Sequence, residues 1–352
     1  MKRLDVKQID VAYGKKQTVF EVDFSLEESQ IGCLLGPSGC GKTTVLRTIA
    51  GFEKPTKGEI VLNEQKMNDS KTFVEPEKRQ IGMVFQDIAL FPHLSVVNNI
   101  QFGIRSWNEP QRGNRIRELL ELIGMSQFER SYPHQLSGGQ QQRIALARAM
   151  APRPSLLLMD EPFSSLDVEL REQLAREVRL ILKQEKISAI LVTHDQDEAF
   201  AMSDRISVMH HGKILQNDSA YNLYHCPANR FVAEFIGEGA LLPGVFTSED
   251  TITTDLGEIA GTLRETFKKE DKVEILIRPE NVIVADTSDY QAVITARYFR
   301  GSGFLYTLKT SGGSELQCLI HGSDSLPIDK SIGVRLQIDR PVIFNRTSFG
   351  VF

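Results

Sequence analysis

The stretch Gly36-Pro37-Ser38-Gly39-Cys40-Gly41-Lys42-Thr43 constrains this chain more than any other feature of its sequence. It follows the apolar run Ile31–Leu35 and precedes a helical stretch at 44–50, beginning with Thr44. Its glycines let the backbone come close to an anion, so that several N–H groups converge on the same oxygens. The helix behind the loop adds the positive end of its dipole. Lys42 is then placed to neutralise the β- and γ-phosphates of a nucleoside triphosphate, and Thr43 to set its hydroxyl on Mg2+. Strand, loop and helix in that order predict an α/β sheet with this loop at the end of one strand.

The rest of the chain fits around that core. Up to about residue 233, apolar runs of strand length alternate with helical stretches. The expected buried strands are Ile31–Leu35, 81–85, 156–159, 189–193 and 206–209. Between Phe91 and Ala151 no strand pattern occurs, and 114–123 and Gly138–Met150 read as helices. A helical subdomain at about 87–152 is therefore expected inside an ATPase domain covering 1–236. After Phe235 the texture changes to short β-branched runs, at Thr251–Thr254, 273–277, 293–298, 305–309, 316–320 and 334–338. Ser311-Gly312-Gly313-Ser314 reads as a hairpin turn between two of them. A small all-β domain of the OB type is expected over 237–352, with the linker at 237–243.

Composition narrows the setting. At 352 residues and 41% hydrophobic, the chain has room for two such cores. A net charge of -5 supplies no basic surface for nucleic acid. No run of about 18 apolar residues is present, and Met1-Lys2-Arg3-Leu4-Asp5-Val6-Lys7 lacks the apolar region of a signal peptide. Cys33, Cys40, Cys226 and Cys318 have no metal-ligand spacing and suggest a reduced compartment.

Two further motifs carry chemistry. Leu156-Leu157-Leu158-Met159-Asp160-Glu161 is an apolar strand ending in two acids. Asp160 is placed to support Mg2+ directly or through water. Glu161, turned to the other face by strand alternation, is free to polarise the attacking water as a general base. In Leu136-Ser137-Gly138-Gly139-Gln140, Ser137 is placed to cap a helix, and the glycine pair behind it makes a second anion site.

One P-loop combined with this second phosphate-binding sequence resembles the ATPases of the ABC family, over roughly residues 4–236. In that family the second sequence completes the nucleotide pocket of the opposite protomer. The resemblance implies a homodimer enclosing two ATP molecules, with Gly36 to Thr44 of one chain facing Ser137, Gly138, Gly139 and Gln140 of the other. Further elements fall in family order. Gln86 resembles the Q-loop glutamine that touches Mg2+, and Ser164-Ser165-Leu166-Asp167 resembles the D-loop, with Asp167 reaching the trans site. His194 resembles the switch histidine, and Tyr13 the aromatic that stacks on adenine. The loop at 87–99 carries Leu90, Phe91 and Leu94, which are expected to be exposed in a groove for a membrane subunit.

The Arg278-Pro279-Glu280-Asn281 and Arg300-Gly301-Ser302-Gly303 segments look like the appended domain of importer ATPases that work with a periplasmic binding protein. That resemblance implies two membrane permease subunits as partners and a place on the cytoplasmic face of the inner membrane. Tyr132-Pro133-His134-Gln135 and the segment from Pro162 to Arg171 look most like ferric-iron importers. Polyamines, sugars, sulfate and molybdate remain alternative solutes, and a non-transport ABC ATPase or a P-loop kinase the alternative classes.

Overall fold

The computed structural model describes residues 1–164, 166–248, 250–260, 267–285, 287–322 and 325–346. Ser165, within the D-loop sequence, lies outside the described residues. The chain divides into two units, Met1–Ala220 and Tyr221–Phe352.

In chain order the first unit comprises β1 (Lys2–Tyr13), β2 (Lys16–Glu27), β3 (Ile31–Leu35), α1 (Lys42–Ala50), β4 (Lys57–Leu62), β5 (Gln65–Asn68) and β6 (Ile81–Val84). Then come α2 (Val96–Gln101), α3 (Glu109–Leu122), α4 (Gly138–Met150), β7 (Leu156–Asp160) and α5 (Val168–Gln184). It closes with β8 (Ser188–Thr193), α6 (Gln196–Met202), β9 (Arg205–His210) and β10 (Lys213–Asp218).

Two sheets organise this unit. The larger has the order β10-β9-β3-β8-β7-β6 and is parallel except at β10. Every residue of β7 and β8 is buried, which is why these strands read as unbroken apolar runs rather than alternating ones. The second sheet, antiparallel β2-β1-β4-β5, was not resolved by the sequence pattern. Its strands carry bulges, with left-handed backbone at Gln8 and Glu21. The extra residue moves the buried set of β1 from Leu4 and Val6 to Ile9 and Val11, a three-residue step that breaks the period of two. Between β6 and β7 the described residues hold helices and no strand, as expected of the helical insert. Helix α3 starts five residues earlier than its apolar pattern. Asn108 caps it by accepting from the Gln111 N–H, and Pro110 sits in its first turn.

The second unit opens with α7 (Ala220–His225) and α8 (Arg230–Phe235). Ten strands follow: β11 (Ala240–Phe246), β12 (Thr251–Thr254), β13 (Gly257–Ala260), β14 (Lys272–Ile277), β15 (Val282–Val284), β16 (Gln291–Phe299), β17 (Gly303–Thr310), β18 (Glu315–His321), β19 (Ser331–Leu336) and β20 (Ile343–Asn345). They form two five-stranded antiparallel sheets, β13-β12-β11-β14-β20 and β15-β19-β16-β17-β18. One core, including Leu242, Phe246, Ile275, Ile294, Tyr306, Leu308 and Val334, serves both, which is the OB-like architecture anticipated. The turn at 311–314 closes as expected, with the Thr310 N–H donating to the Ser314 carbonyl.

Two boundaries differ from the expected ones. The linker at 237–243 is largely strand, because β11 pairs with β14 from Ala240↔Ile277 onward. Pro243 lies within that strand. It is accommodated because β12 pairs with β11 only at Val245 and Phe246, so the missing N–H breaks no ladder bond on that side. The division after Ala220 also precedes the expected 236. Buried Arg278 donates to the carbonyls of Tyr224, Ala233 and Glu238, which ties α7 and α8 to the β half.

Candidate active site

The loop at 36–43 leaves β3 in a conformation that glycine alone permits at several points. A Cβ on Gly36 would sit 2.2 Å from the Met209 carbonyl oxygen of β9, and Gly41, the N-cap of α1, has φ 105°. Lys42 is buried, and its ammonium donates to the carbonyls of Gly36 at 2.7 Å and Pro37 at 3.0 Å. Those bonds hold the cation inside its own loop. Ser38 and Gly39 are exposed at the loop tip, whereas Cys40 is buried beneath it and burial pushes its thiol pKa up. Thr44 is half-buried in the first turn of α1.

Parallel pairing aligns the strand ends. Leu35 of β3 faces Thr193 of β8, Val192 of β8 faces Asp160 of β7, and Met159 of β7 faces Val84 of β6. The residues that follow therefore leave the sheet along one C-terminal edge, where ligands of open α/β sheets bind. Thr43 Oγ1 donates to Asp160 Oδ1 at 3.0 Å, which joins the phosphate loop to the acidic strand end. Burial raises the Asp160 pKa, and the bond from Thr43 opposes that rise. A hydroxyl and a carboxylate are oxygen donors of the kind a hard divalent cation takes, with waters and phosphate oxygens completing its shell.

Glu161 does diverge from Asp160, but strand alternation is not the reason. The strand stops at Asp160, and Glu161 turns left-handed at φ 43°, an unfavourable conformation for a non-glycine residue. Its N–H donates to the Val192 carbonyl at 2.9 Å, and Ser164 Oγ donates to its carbonyl at 3.0 Å. The turn brings Glu161 Oε2 to 3.3 Å from His194 Nδ1. Gln86 lies two residues past β6 and is exposed on the same edge.

The other expected site residues stand apart from this cluster within one chain. Ser137 and Gly138 are exposed at the start of α4. Ser137 and Gln140 form a capping box, with the Ser137 N–H donating to Gln140 Oε1 at 3.0 Å. Gly139 is buried because α5 lies against it, and a Cβ there would meet Leu170 at 3.2 Å. Asp167 caps α5 by accepting from the Leu170 N–H at 3.0 Å and remains exposed. Tyr13 ends β1 and is 47% exposed. One turn ties that sheet to the phosphate loop. The Gly212 N–H donates to the Cys40 carbonyl at 3.0 Å, and the Gly212 carbonyl accepts from the Phe20 N–H at 2.9 Å.

Sequence reading missed Arg79. It is 1% exposed and donates to the carbonyls of Val74, Thr48 and Ile49, closing the far end of the phosphate-loop helix. An arginine in a polar segment carries no local signal of that role, because its partners on the helix, Thr48 and Ile49, lie about thirty residues earlier in the chain. His210 ends β9 and His211 opens the turn after it, with rings 4.0 Å apart, and Cys318 is a core thiol. Among the described residues, no three His, Cys, Asp or Glu side chains gather as a metal site.

A phosphate cradle, a paired hydroxyl and acid, and a carboxylate–histidine pair along one sheet edge are the arrangement of a P-loop nucleoside triphosphatase. Residues 19–164 match the ABC transporter family and 275–344 the TOBE domain. The Spermidine/putrescine import ATP-binding protein PotA of Roseobacter denitrificans is 40% identical over 339 residues, covering 91% of this chain and 90% of that protein. The Fe(3+) ions import ATP-binding protein FbpC 2 of Haemophilus influenzae is 42% identical over 288 residues, covering 81% of this chain and 80% of that one. The chain belongs to the ABC transporter family, as an ATP-hydrolysing import subunit. The solved structure of cbiO1 from Clostridium perfringens, part of the ABC transporter complex cbiONQ, shares the fold with a TM-score of 0.59 at 24% identity. It covers 67% of this chain and 92% of that one.

Proposed function

We propose that this chain energises a binding-protein-dependent importer as a homodimer on the cytoplasmic face of the inner membrane, with ferric iron as the solute. The observation that carries the hydrolytic part is the approach of Glu161 to His194 at 3.3 Å, on the edge where Thr43 meets Asp160. Lys42 and the loop amides from Gly36 to Thr44 hold the phosphates, and Tyr13 stacks on adenine. Bound Mg2+, held by Thr43, Asp160 and Gln86, would offset charge on the phosphate oxygens. Glu161 accepts a proton from the attacking water. His194 holds Glu161 through Nδ1 and keeps its other ring nitrogen for the γ-phosphate. Ser137, Gly138, Gly139, Gln140 and Asp167 complete the pocket of the partner protomer. The exposure of Ser137, Gly138 and Asp167 in one chain supports that reading, because these groups are left open to a second chain.

Among the described residues no helix is long and apolar enough to cross a membrane, so on this reading permease subunits provide the path. The surface for them is the segment after Gln86, with one revision. Leu90, Phe91 and Leu94 are half-buried rather than exposed. The Phe91 ring packs 4.5 Å from Phe102, and Asn99 clamps its backbone on both sides. Phe85 and Phe102, on either side of this segment, are exposed aromatics, and we assign them to the contact with a permease helix. Replacing both with Ser is expected to abolish reconstituted transport and leave basal ATPase activity in place; retained transport would refute the assignment.

Iron rests on the context of Tyr132-Pro133-His134-Gln135 and on relatives named as Fe(3+) ions import proteins. A polyamine is the second reading, favoured by the relative named for spermidine and putrescine that aligns over 91% of this chain. Uptake of labelled ferric iron, spermidine and putrescine by a deletion strain decides between them. Loss of polyamine uptake with normal iron uptake would overturn the iron assignment.

A further inference from the structure

The turn that carries His194 is pinned from a direction the hydrolytic pair does not explain. Asp195 caps α6 by accepting from the Glu198 N–H at 3.0 Å. Glu198 is 2% exposed, and its Oε2 accepts from Thr193 Oγ1 at 2.6 Å. Burial raises the pKa of this carboxyl. One guanidinium meets both acids. Arg171 Nη1 donates to Asp195 Oδ2 at 3.1 Å, and Arg171 Nε lies 3.4 Å from Glu198 Oε1. Its remaining nitrogen, Nη2, donates to the Leu166 carbonyl at 3.0 Å. Leu166 directly precedes Asp167, the exposed N-cap of α5.

Arg171 thus spans two loops with three separate contacts. It sits in the first turn of α5, where the helix dipole disfavours a cation, so its placement does not serve that helix. The planar fork of arginine donates to two acceptors in fixed directions while setting its charge beside the Glu198 carboxylate, which a lysine ammonium on a flexible stem does not reproduce. The same stretch lies against the glycine pair of its own chain, since a Cβ on Gly138 would meet Leu166 at 3.3 Å.

We propose that Arg171 is a positioning residue that locks the loop ending in Asp167 to the turn holding His194, so that seating Asp167 against a partner protomer and orienting the histidine become one event. The proposal rests on the reading of Glu161 and His194 as the hydrolytic pair and of Asp167 as a trans contact. It adds the link between them. A purely structural role would have Arg171 do no more than neutralise buried Glu198. The two roles separate in the variants.

The test uses the full chain and its permease complex, with Arg171→Met, Arg171→Lys and the double variant Arg171→Met/Glu198→Gln. Under the proposal KM for ATP stays within about twofold while kcat falls about ten- to a hundredfold, the cost of a small misplacement. Lysine restores little. The double variant no longer buries an unpaired carboxylate, so it folds even where Arg171→Met does not, and its kcat stays low. Recovery of kcat in the double variant, or full rescue by lysine, overturns the proposal in favour of charge neutralisation. Glu161→Gln runs in parallel. Turnover lost there but kept in Arg171→Met removes the positioning role alone. Turnover kept in Glu161→Gln removes the underlying reading, whatever Arg171 does.

Discussion

Replacing Glu161 with Gln is the sharpest perturbation of the proposed chemistry, because the structure isolates what it changes. The backbone contacts of Glu161, to the Val192 carbonyl and from Ser164, involve main-chain atoms and survive the substitution. The left-handed φ of 43° is carried equally by either residue, and the amide oxygen can still face His194 across 3.3 Å. Stability should therefore change by no more than about 0.5 kcal/mol, a Tm shift of roughly 2 °C or less. What is lost is the basic carboxylate. A positioned general base contributes about 10²–10⁴-fold, or about 2.7–5.4 kcal/mol of barrier at 1.36 kcal/mol per decade. Phosphate release at saturating ATP should fall by that factor, with nucleotide affinity unchanged. ATP should also hold the variant as a dimer, because hydrolysis no longer opens it. Turnover within a few-fold of the parent, at an equal Tm, would remove Glu161 from the mechanism.

Two further predictions address the trans site and the frame that supports the edge. Ser137→Arg places a bulky cation at an exposed helix N-terminus and loses a cap worth about 1 kcal/mol. Monomers should keep their nucleotide affinity while ATPase activity fails, and retained activity at protein concentrations that support dimers would contradict the sandwich. Asp204 accepts from the Ile31 N–H at 2.8 Å, from Arg179 at 2.7 Å and from Lys183 at 2.6 Å, fixing the start of β3 to α5. Burial alone would raise its pKa, but the bonds from Lys183, Ile31 and Arg179 outweigh it and hold the carboxyl below its ordinary value. Its contribution is therefore complete above the unfolded pKa of about 3.9 and is lost as pH falls through the lower folded value. Asp204→Asn should cost about 2–4 kcal/mol in denaturant unfolding at pH 7. The gap between the parent and the variant should narrow as the pH is lowered from about 5 to 2, and a pH-independent gap would mean the ionised form is not what stabilises.

Local periodicity and short motifs account for what was readable in advance. A buried parallel strand is an apolar run whatever its partners are, so β3, β7 and β8 stood out, and Gly138–Met150 announced itself through Ser137 and its apolar face. The catalytic candidates were legible for the same reason, since each directly follows such a strand. Strand β1 was not legible. Its bulge at Gln8 shifts the buried face, and a shift of face is set by the partner strands β2 and β4. Strand β11 begins inside the expected linker, and Pro243 fits it because β12 pairs with β11 only at Val245 and Phe246, which pairing decides.

By itself the sequence determined the chemistry of the chain: a phosphate loop with Lys42 and Thr43, acids at the end of an apolar strand, a histidine after another, and a capped glycine pair. These are properties of residue type and short-range spacing. Only the tertiary structure decided that Glu161 meets His194 through a left-handed turn rather than by alternation. It alone placed Arg79 under the phosphate-loop helix and Arg171 between two loops. Arginine reaches several ångströms along a flexible stem, and its acceptors here are mostly backbone carbonyls and acids 24 to 31 residues away or a short turn behind it. Any residue offers a carbonyl, so no local pattern marks which ones a guanidinium will find; only the packing of helix against strand selects them.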